Sequence, residues 1–451
     1  MHAITTTVSV CGIKRLLLDC EMLLINHCIR SIGLSSRCSI FWLAIIVGKN
    51  LQAQTQIKSY VKSNTVAINT INPDSTDFSE LELIGNAIGD AKLVMLGEQD
   101  HGDAPSFLAK TRLIKYLHEK KGFNVLAFES DFFGLNYGFD RLSKTKADID
   151  SFLRKNIFPV WTYCNTCQNL FYNYIPSTFN TDRPLNISGF DSQLLLKYST
   201  SFLAKSLDSL FRALNLAIVK DEEYETVILP LIDSLRYAAF KDSSNYTRCA
   251  IYLSRIKNEL TGRINDQDFW VKVIDNLIQE NKQYSLQEVD KIEMGKVRDH
   301  QMALNLQWLR NIKYPNEKII VWAANLHIAK LQEVSKNGKN SMKSMGWYYS
   351  NLESNSDETY IIGFNSYEGK AGRLGREAYE IRKPQANGFE TWIDKSVNYA
   401  FCDFKAYRKS FPNQSETFFL KSLGHNTAYK KDWTEIFDGI FFIREMYPCT
   451  Q

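Results

Sequence analysis

The sequence predicts an α/β protein of three layers, α/β/α, with a mostly parallel sheet and a large helical insertion. Three observations lead to it. Six short, β-rich apolar runs recur along the chain, at 92–96, 124–128, 186–190, 318–323, 359–364 and 439–443. Most are near-continuous rather than alternating, the pattern of strands buried on both faces of a parallel sheet. Helical spacing fills the intervals between the early runs, and strand–helix–strand repetition makes a layered α/β fold. Between residues 195 and 312, by contrast, Gly and Pro are scarce and Leu203, Leu207, Leu210 and Leu214 recur at helical spacing, so this stretch reads as an insertion between strands.

Taken in chain order, residues 1–53 stand apart as an apolar leader. Residues 39–48 read Ser-Ile-Phe-Trp-Leu-Ala-Ile-Ile-Val-Gly. The run is too short for a membrane-crossing helix, which needs roughly 20 residues, but it suits the core of a secretory signal. Arg30 and Arg37 precede it, and Ala53 supplies a small residue at a cleavage position. The protein is therefore expected to be exported, to a periplasm or beyond, with no stable membrane partner after leader removal. The alternative is an anchor retained through the same run. Residues 54–194 then form the first part of the α/β core, 195–312 the insertion and 313–451 the second part. Within the first part, Pro105 suits a first helical turn, Phe107, Ile114 and Leu117 share a face, and Gly122 suits a cap, so a helix is expected over 104–120.

Composition narrows the function classes. Hydrophobic residues make up 44% of the 451 and charged residues 23%, a globular balance that excludes a disordered or fibrous chain. The net charge of +4 lies mostly in the leader, which holds Lys14, Arg15, Arg30, Arg37 and Lys49 against Asp19 and Glu21. A near-neutral body gives no electrostatic reason for a nucleic-acid partner. Cys11, Cys20, Cys28 and Cys38 leave with the leader. The remaining Cys164, Cys167, Cys249, Cys402 and Cys449 are odd in number and scattered, which is not a disulfide framework. Cys164 and Cys167 form a lone C-x-x-C without the second ligand pair of a zinc site, and in an exported protein these two can bond to each other.

The polar residues gather after the strands. The first run leads into Gly97-Glu98-Gln99-Asp100-His101-Gly102, the second into Glu129-Ser130-Asp131, the third into Asp191-Ser192, the fourth into Asn325-Leu326-His327. In open parallel sheets ligands bind beyond the carboxyl ends of the strands. Parallel neighbours would thus bring Glu98, His101, Glu129, Asp191, Asn325 and His327 around one cleft. Each also has a plain structural reading: Glu98 and His101 as helix caps, Glu129 as an ion-pair partner of Lys110 or Arg298, His327 as a satisfied core histidine. His118 sits in a charged run and reads as solvated surface, and His425 as a loop residue. His300 lies about 200° from Arg298 around a helix, so only one of them reaches a pocket, and Arg298 is preferred.

No G-x-S-x-G elbow, phosphate loop, dinucleotide fingerprint or H-E-x-x-H is present. What remains is histidine with carboxylates and basic groups. Histidine deprotonates water near neutral pH, a carboxylate fixes its tautomer, and a cation stabilises the developing oxyanion. These parts suit hydrolysis by direct attack of water, and no cofactor is expected.

Gly97-Glu98-x-x-His101-Gly102, the helix with Lys110 and Arg112-Leu113, Phe128-Glu129-Ser130-Asp131, Arg298-Asp299-x-x-Met302-Ala303 and Val321-Trp322-Ala323-x-Asn325-x-His327 together resemble the erythromycin esterase family. The resemblance spans roughly residues 75–445 and rests on the ordered set. It implies metal-independent hydrolysis of an ester such as a macrolactone, and with it a link to antibiotic resistance. His101, Glu98, Glu129 and His327 take the catalytic positions, with His101 as the water-activating base. Lys110, Arg298, Asn325 and Asp191 are assigned to substrate and oxyanion. One departure stands out: where the family usually reads W-A-H-N-x-H, this chain has Ala324, leaving only His327. The expected partner is a small-molecule ester, with macrolides placed in doubt. Two other readings stay open: a metal-dependent hydrolase with Glu98, His101, Glu129 and His327 as ligands, and a binding protein on a decayed catalytic scaffold.

Overall fold

Leu93–Leu96 is buried along its whole length, as a strand covered on both faces must be, and it lies at the centre of the sheet. The computed structural model describes residues 56–235, 240–334, 341–352 and 355–451. Their main sheet has nine strands: β1 (Val66–Ile68), β2 (Leu93–Leu96), β3 (Phe123–Asp131), β4 (Asn186–Asp191), β5 (Lys318–Trp322), β6 (Thr359–Ala371), β7 (Tyr379–Glu380), β8 (Tyr399–Asp403) and β9 (Gly439–Met446). The order is β1-β8-β9-β6-β2-β5-β3-β4, with β7 paired to β6. From β9 to β4 every pairing is parallel. β1, β8 and β7 pair antiparallel at the periphery. The α/β fold with a mostly parallel sheet is as expected, and all six apolar runs are strands. The short antiparallel strands β1, β7 and β8 were not among them.

Helix α1 (Ala104–Lys121) carries Pro105 in its first turn and ends on Gly122, whose φ of 74° needs no Cβ. Between β4 and β5 lie α2 (Lys197–Ala213), α3 (Ser244–Thr261), α4 (Phe269–Leu286) and α5 (Lys291–Trp308). Each buries an apolar stripe; that of α2 is Leu203, Leu207 and Phe211. α6 (Asn325–Ile328) is a single turn directly after β5, and α7 (Met345–Ser350) packs near α5.

Two expectations are corrected. His118 is 5% exposed rather than solvated, because its ring bonds Tyr174 Oη at 2.8 Å and the Arg183 carbonyl at 3.0 Å. Cys164 pairs with Cys449 and not with Cys167, which stays a buried thiol. The leader of residues 1–53 lies outside the described residues. Among those described, no helix is long and apolar enough to cross a membrane.

Candidate active site

Four adjacent strand ends build the site. β2 turns at Gly97 into the loop holding Glu98 and His101. A Cβ at Gly97 would overlap the Asn325 amide oxygen, so only glycine lets these two strand ends approach. Glu129 sits in the last residues of β3, where the register with β4 shifts between Phe128 and Asp131. Asp191 ends β4, and α6 after β5 holds Asn325 and His327.

The first cluster forms around Glu98, which is fully buried. Its Oε1 accepts from His101 Nδ1 at 3.1 Å and from the Trp161 indole N–H at 3.2 Å, while its Oε2 meets Lys110 Nζ. Lys110 is also fully buried, with its ammonium 3.9 Å from the centre of the Trp322 ring. Burial draws the lysine pKa down, and Glu98 pulls against that shift. A carboxylate only accepts, so Nδ1 of His101 bears the proton and the free lone pair belongs to Nε2.

The second cluster forms around Glu129 and Arg298. Arg298 reaches Asp191 through two bonds, Nε to Oδ1 at 3.1 Å and Nη2 to Oδ2 at 2.6 Å, and Glu129 Oε1 at 3.0 Å. His327 stands between carboxylates, with Nδ1 2.7 Å from Asp299 Oδ1 and Nε2 3.2 Å from Glu129 Oε1. Burial alone would lower the His327 pKa. Asp299 and Glu129 outweigh it and carry the value to about 10, which favours the cationic ring even though Arg298 Nη1 stands 3.2 Å from Nε2. Burial likewise opposes ionisation of Glu129, but His327 and Arg298 hold it well below the ordinary carboxylate range. The remaining oxygen of Glu129 accepts the Ala324 backbone N–H at 3.0 Å.

The two clusters meet in a cleft of about 480 Å³, lined among others by His101, Ala324, Leu326, His327, Arg373 and Tyr379. A wider, shallow depression of about 690 Å³ along α3 contains none of the site residues. Glu98, His101, Glu129, Asp191, Arg298 and His327 are thus brought together. Lys110 and Asn325, expected at the substrate, are fully buried and committed to the protein. The Asn325 amide nitrogen donates to the carbonyls of Phe364 and Ser422 at 2.6 Å each, and its oxygen accepts from Phe364 N–H. Its work is to splice β6 and the 420s loop onto α6. Neither Glu98 nor His101 caps α1; that position belongs to Asp103.

Among the described residues, no three His, Cys, Asp or Glu side chains are arranged to hold a metal ion. Lys110 and Arg298 pair with the two carboxylates, Glu98 and Glu129, that a metal would need as ligands. Sequence reasoning missed Asp299, although it stands in the quoted Arg298-Asp299 motif, and Trp161, for which no local signal exists. It placed His425 in a loop, where it lies, without foreseeing its burial. Its side chain is fully buried and bonds Asp103 Oδ1 at 2.8 Å.

Fold and site define an α/β protein whose strand ends set a carboxylate-held histidine and a histidinium on one cleft. The chain belongs to the erythromycin esterase family, whose sequence pattern matches residues 118–446. Glu129, Asp191, Arg298 and His327 fall inside that stretch; Glu98, His101 and Lys110 precede it. A relative in Bacillus subtilis (strain 168), named putative hydrolase YbfO, is 26% identical over 315 residues, which are 64% of this chain and 68% of that protein. Two solved structures share the fold at low identity. A succinoglycan biosynthesis protein aligns with a TM-score of 0.66 at 19% identity, covering 88% of this chain and 98% of its own. An erythromycin esterase mutant, EreC in its open conformation, aligns at 0.62 and 16%, covering 86% and 98%.

Proposed function

We propose that this protein hydrolyses a carboxylic ester, a lactone being one form, by direct attack of a water that His101 deprotonates. The observation carrying the reading is the pairing of His101 Nδ1 with buried Glu98, which directs the basic Nε2 to a cleft shared with cationic His327. Nε2 takes a proton from water as the water oxygen attacks the carbonyl carbon. The carbonyl electron pair moves to its oxygen, where the charge of His327 offsets it. Collapse breaks the ester C–O bond, and the leaving oxygen takes the proton back from His101. The names of the hydrolase and esterase relatives support the class. Export is part of the same reading, supported by the apolar run 39–48 and by a disulfide, which persists in oxidising compartments.

Removing a general base typically costs about 10²–10⁴-fold in rate. His101→Ala should therefore lower kcat by that order with the fold intact, and mass spectra quenched during turnover should carry no acyl adduct. A stable adduct on Ser or Cys, or a variant within about threefold of wild type and so far above the loss expected for a base, would overturn the mechanism.

A further inference from the structure

His425 does not touch the reacting atoms in this mechanism, yet it is fully buried beside them and paired with a fully buried carboxylate. Its Nε2 lies 2.8 Å from Asp103 Oδ1 and its Nδ1 3.0 Å from Ser366 Oγ on β6. Because the carboxylate can only accept, Nε2 carries a proton toward Asp103, while Nδ1 shares a hydrogen bond with the Ser366 hydroxyl, so both ring nitrogens have a partner. The other oxygen of Asp103 accepts the Asp100 backbone N–H at 2.9 Å, and Asp100 in turn accepts the His101 N–H at 2.8 Å. Ser366, His425, Asp103 and Asp100 therefore form a chain ending on the backbone of His101. The loop that carries His425 is also tied to both catalytic segments, through Gln99 Nε2 to the Lys421 carbonyl at 2.5 Å and Asn325 to Ser422.

We infer that His425 is a positioning residue: through Asp103 it holds the turn from Glu98 to Asp103 so that the His101 ring stays against Glu98 with Nε2 toward the cleft. This rests on the reading of His101 as the base. The geometric demand is severe, since a displacement of about 1 Å at a reacting group costs on the order of 100-fold. A histidine that merely filled its cavity would support the fold without touching the chemical step of folded molecules.

The test is a double-mutant cycle in the full chain with para-nitrophenyl butyrate, joined to ring-nitrogen NMR of histidine-labelled protein. His425→Ala should lower kcat about 10- to 100-fold, with KM nearly unchanged, and His425→Gln, which restores an N–H toward Asp103, should recover most of the loss. In a His101→Ala background, His425→Ala should cost less than about twofold more, because residues acting through one another are not additive. An undiminished loss in that background overturns the proposal, as does a His425→Ala enzyme with wild-type kcat. The NMR arm separates this failure from failure of the base reading. If His101→Ala keeps its activity, or the butyrate is not cleaved, the base reading is unsupported by this probe, and positioning is judged by the His101 ring signals alone. A His101 Nδ1 signal displaced in His425→Ala supports it; an unmoved signal overturns it.

Discussion

Glu129 meets three groups at once: the Arg298 guanidinium, the His327 ring and the Ala324 backbone N–H. That makes it the residue through which the charge of His327 can be tuned. The His327 pKa rises on folding from 6.5 to about 10, so the stability it contributes is fully present below about pH 6.5 and is lost as pH climbs through 10. Activity that needs the histidinium falls along the same limb. Glu129→Gln removes one of the two carboxylates behind that shift and leaves Asp299. The upper limb of the kcat–pH profile should then move to lower pH, while an unmoved limb would take His327 out of the mechanism. Ala324 makes a second test. It is 9% exposed and lines the cleft together with His101 and His327, and its bond to Glu129 uses only the backbone. A histidine there keeps that bond and adds a polar ring. Wild-type protein is expected to open a 14-membered macrolactone weakly or not at all, and Ala324→His to raise that rate. Efficient opening by the wild type would show that Ala324 does not limit the substrate.

Helix α5 places Arg298 and Asp299 into the site from neighbouring positions about 100° apart, so the middle of one helix supplies both the cation for Asp191 and the carboxylate for His327. The 159–167 segment acts in a similar way. It delivers Trp161 to Glu98, and Cys164, three residues on, is bonded to Cys449 in the C-terminal tail. The tail touches the catalytic loop as well: Cys449 N–H donates to the Gly102 carbonyl at 2.9 Å, and Asn165 N–H to Thr450 at 2.8 Å. The disulfide joins two of these segments, and the tail's backbone bond to Gly102 adds the catalytic loop. Losing a native disulfide typically costs about 2–4 kcal/mol. Cys449→Ser should lower the unfolding free energy by that order, read as a lower denaturation midpoint, and reduction of the wild type should do the same. Equal midpoints for the two forms would mean that the bond contributes nothing to the fold.

At the scale of the whole chain, export predicts a native N-terminus near Gln54, readable by mass spectrometry; an intact leader on protein recovered from the cytoplasm would reject it. The central strands were legible because continuous apolar runs leave few alternatives to burial on both faces, and parallel order then carried their polar ends to one crevice. Glu98, His101, Glu129, Asp191 and His327 could be named for that reason, and Arg298 through the family resemblance of its motif. Their roles could not. Whether His327 is a base or a cation depends on Asp299 and Glu129 standing within 2.7 and 3.2 Å of it, and whether Asn325 faces a ligand depends on which backbone groups crowd its amide. The edge strands β1 and β8, the Cys164–Cys449 bond across 285 residues and the His425–Asp103 contact across 322 have no local signature. Periodicity and strand-end chemistry are properties of neighbouring residues, so the sequence by itself determined the layers and the side of the sheet that carries the site. Proton placement and pairing follow from burial and distance between remote segments, which only the tertiary structure decided.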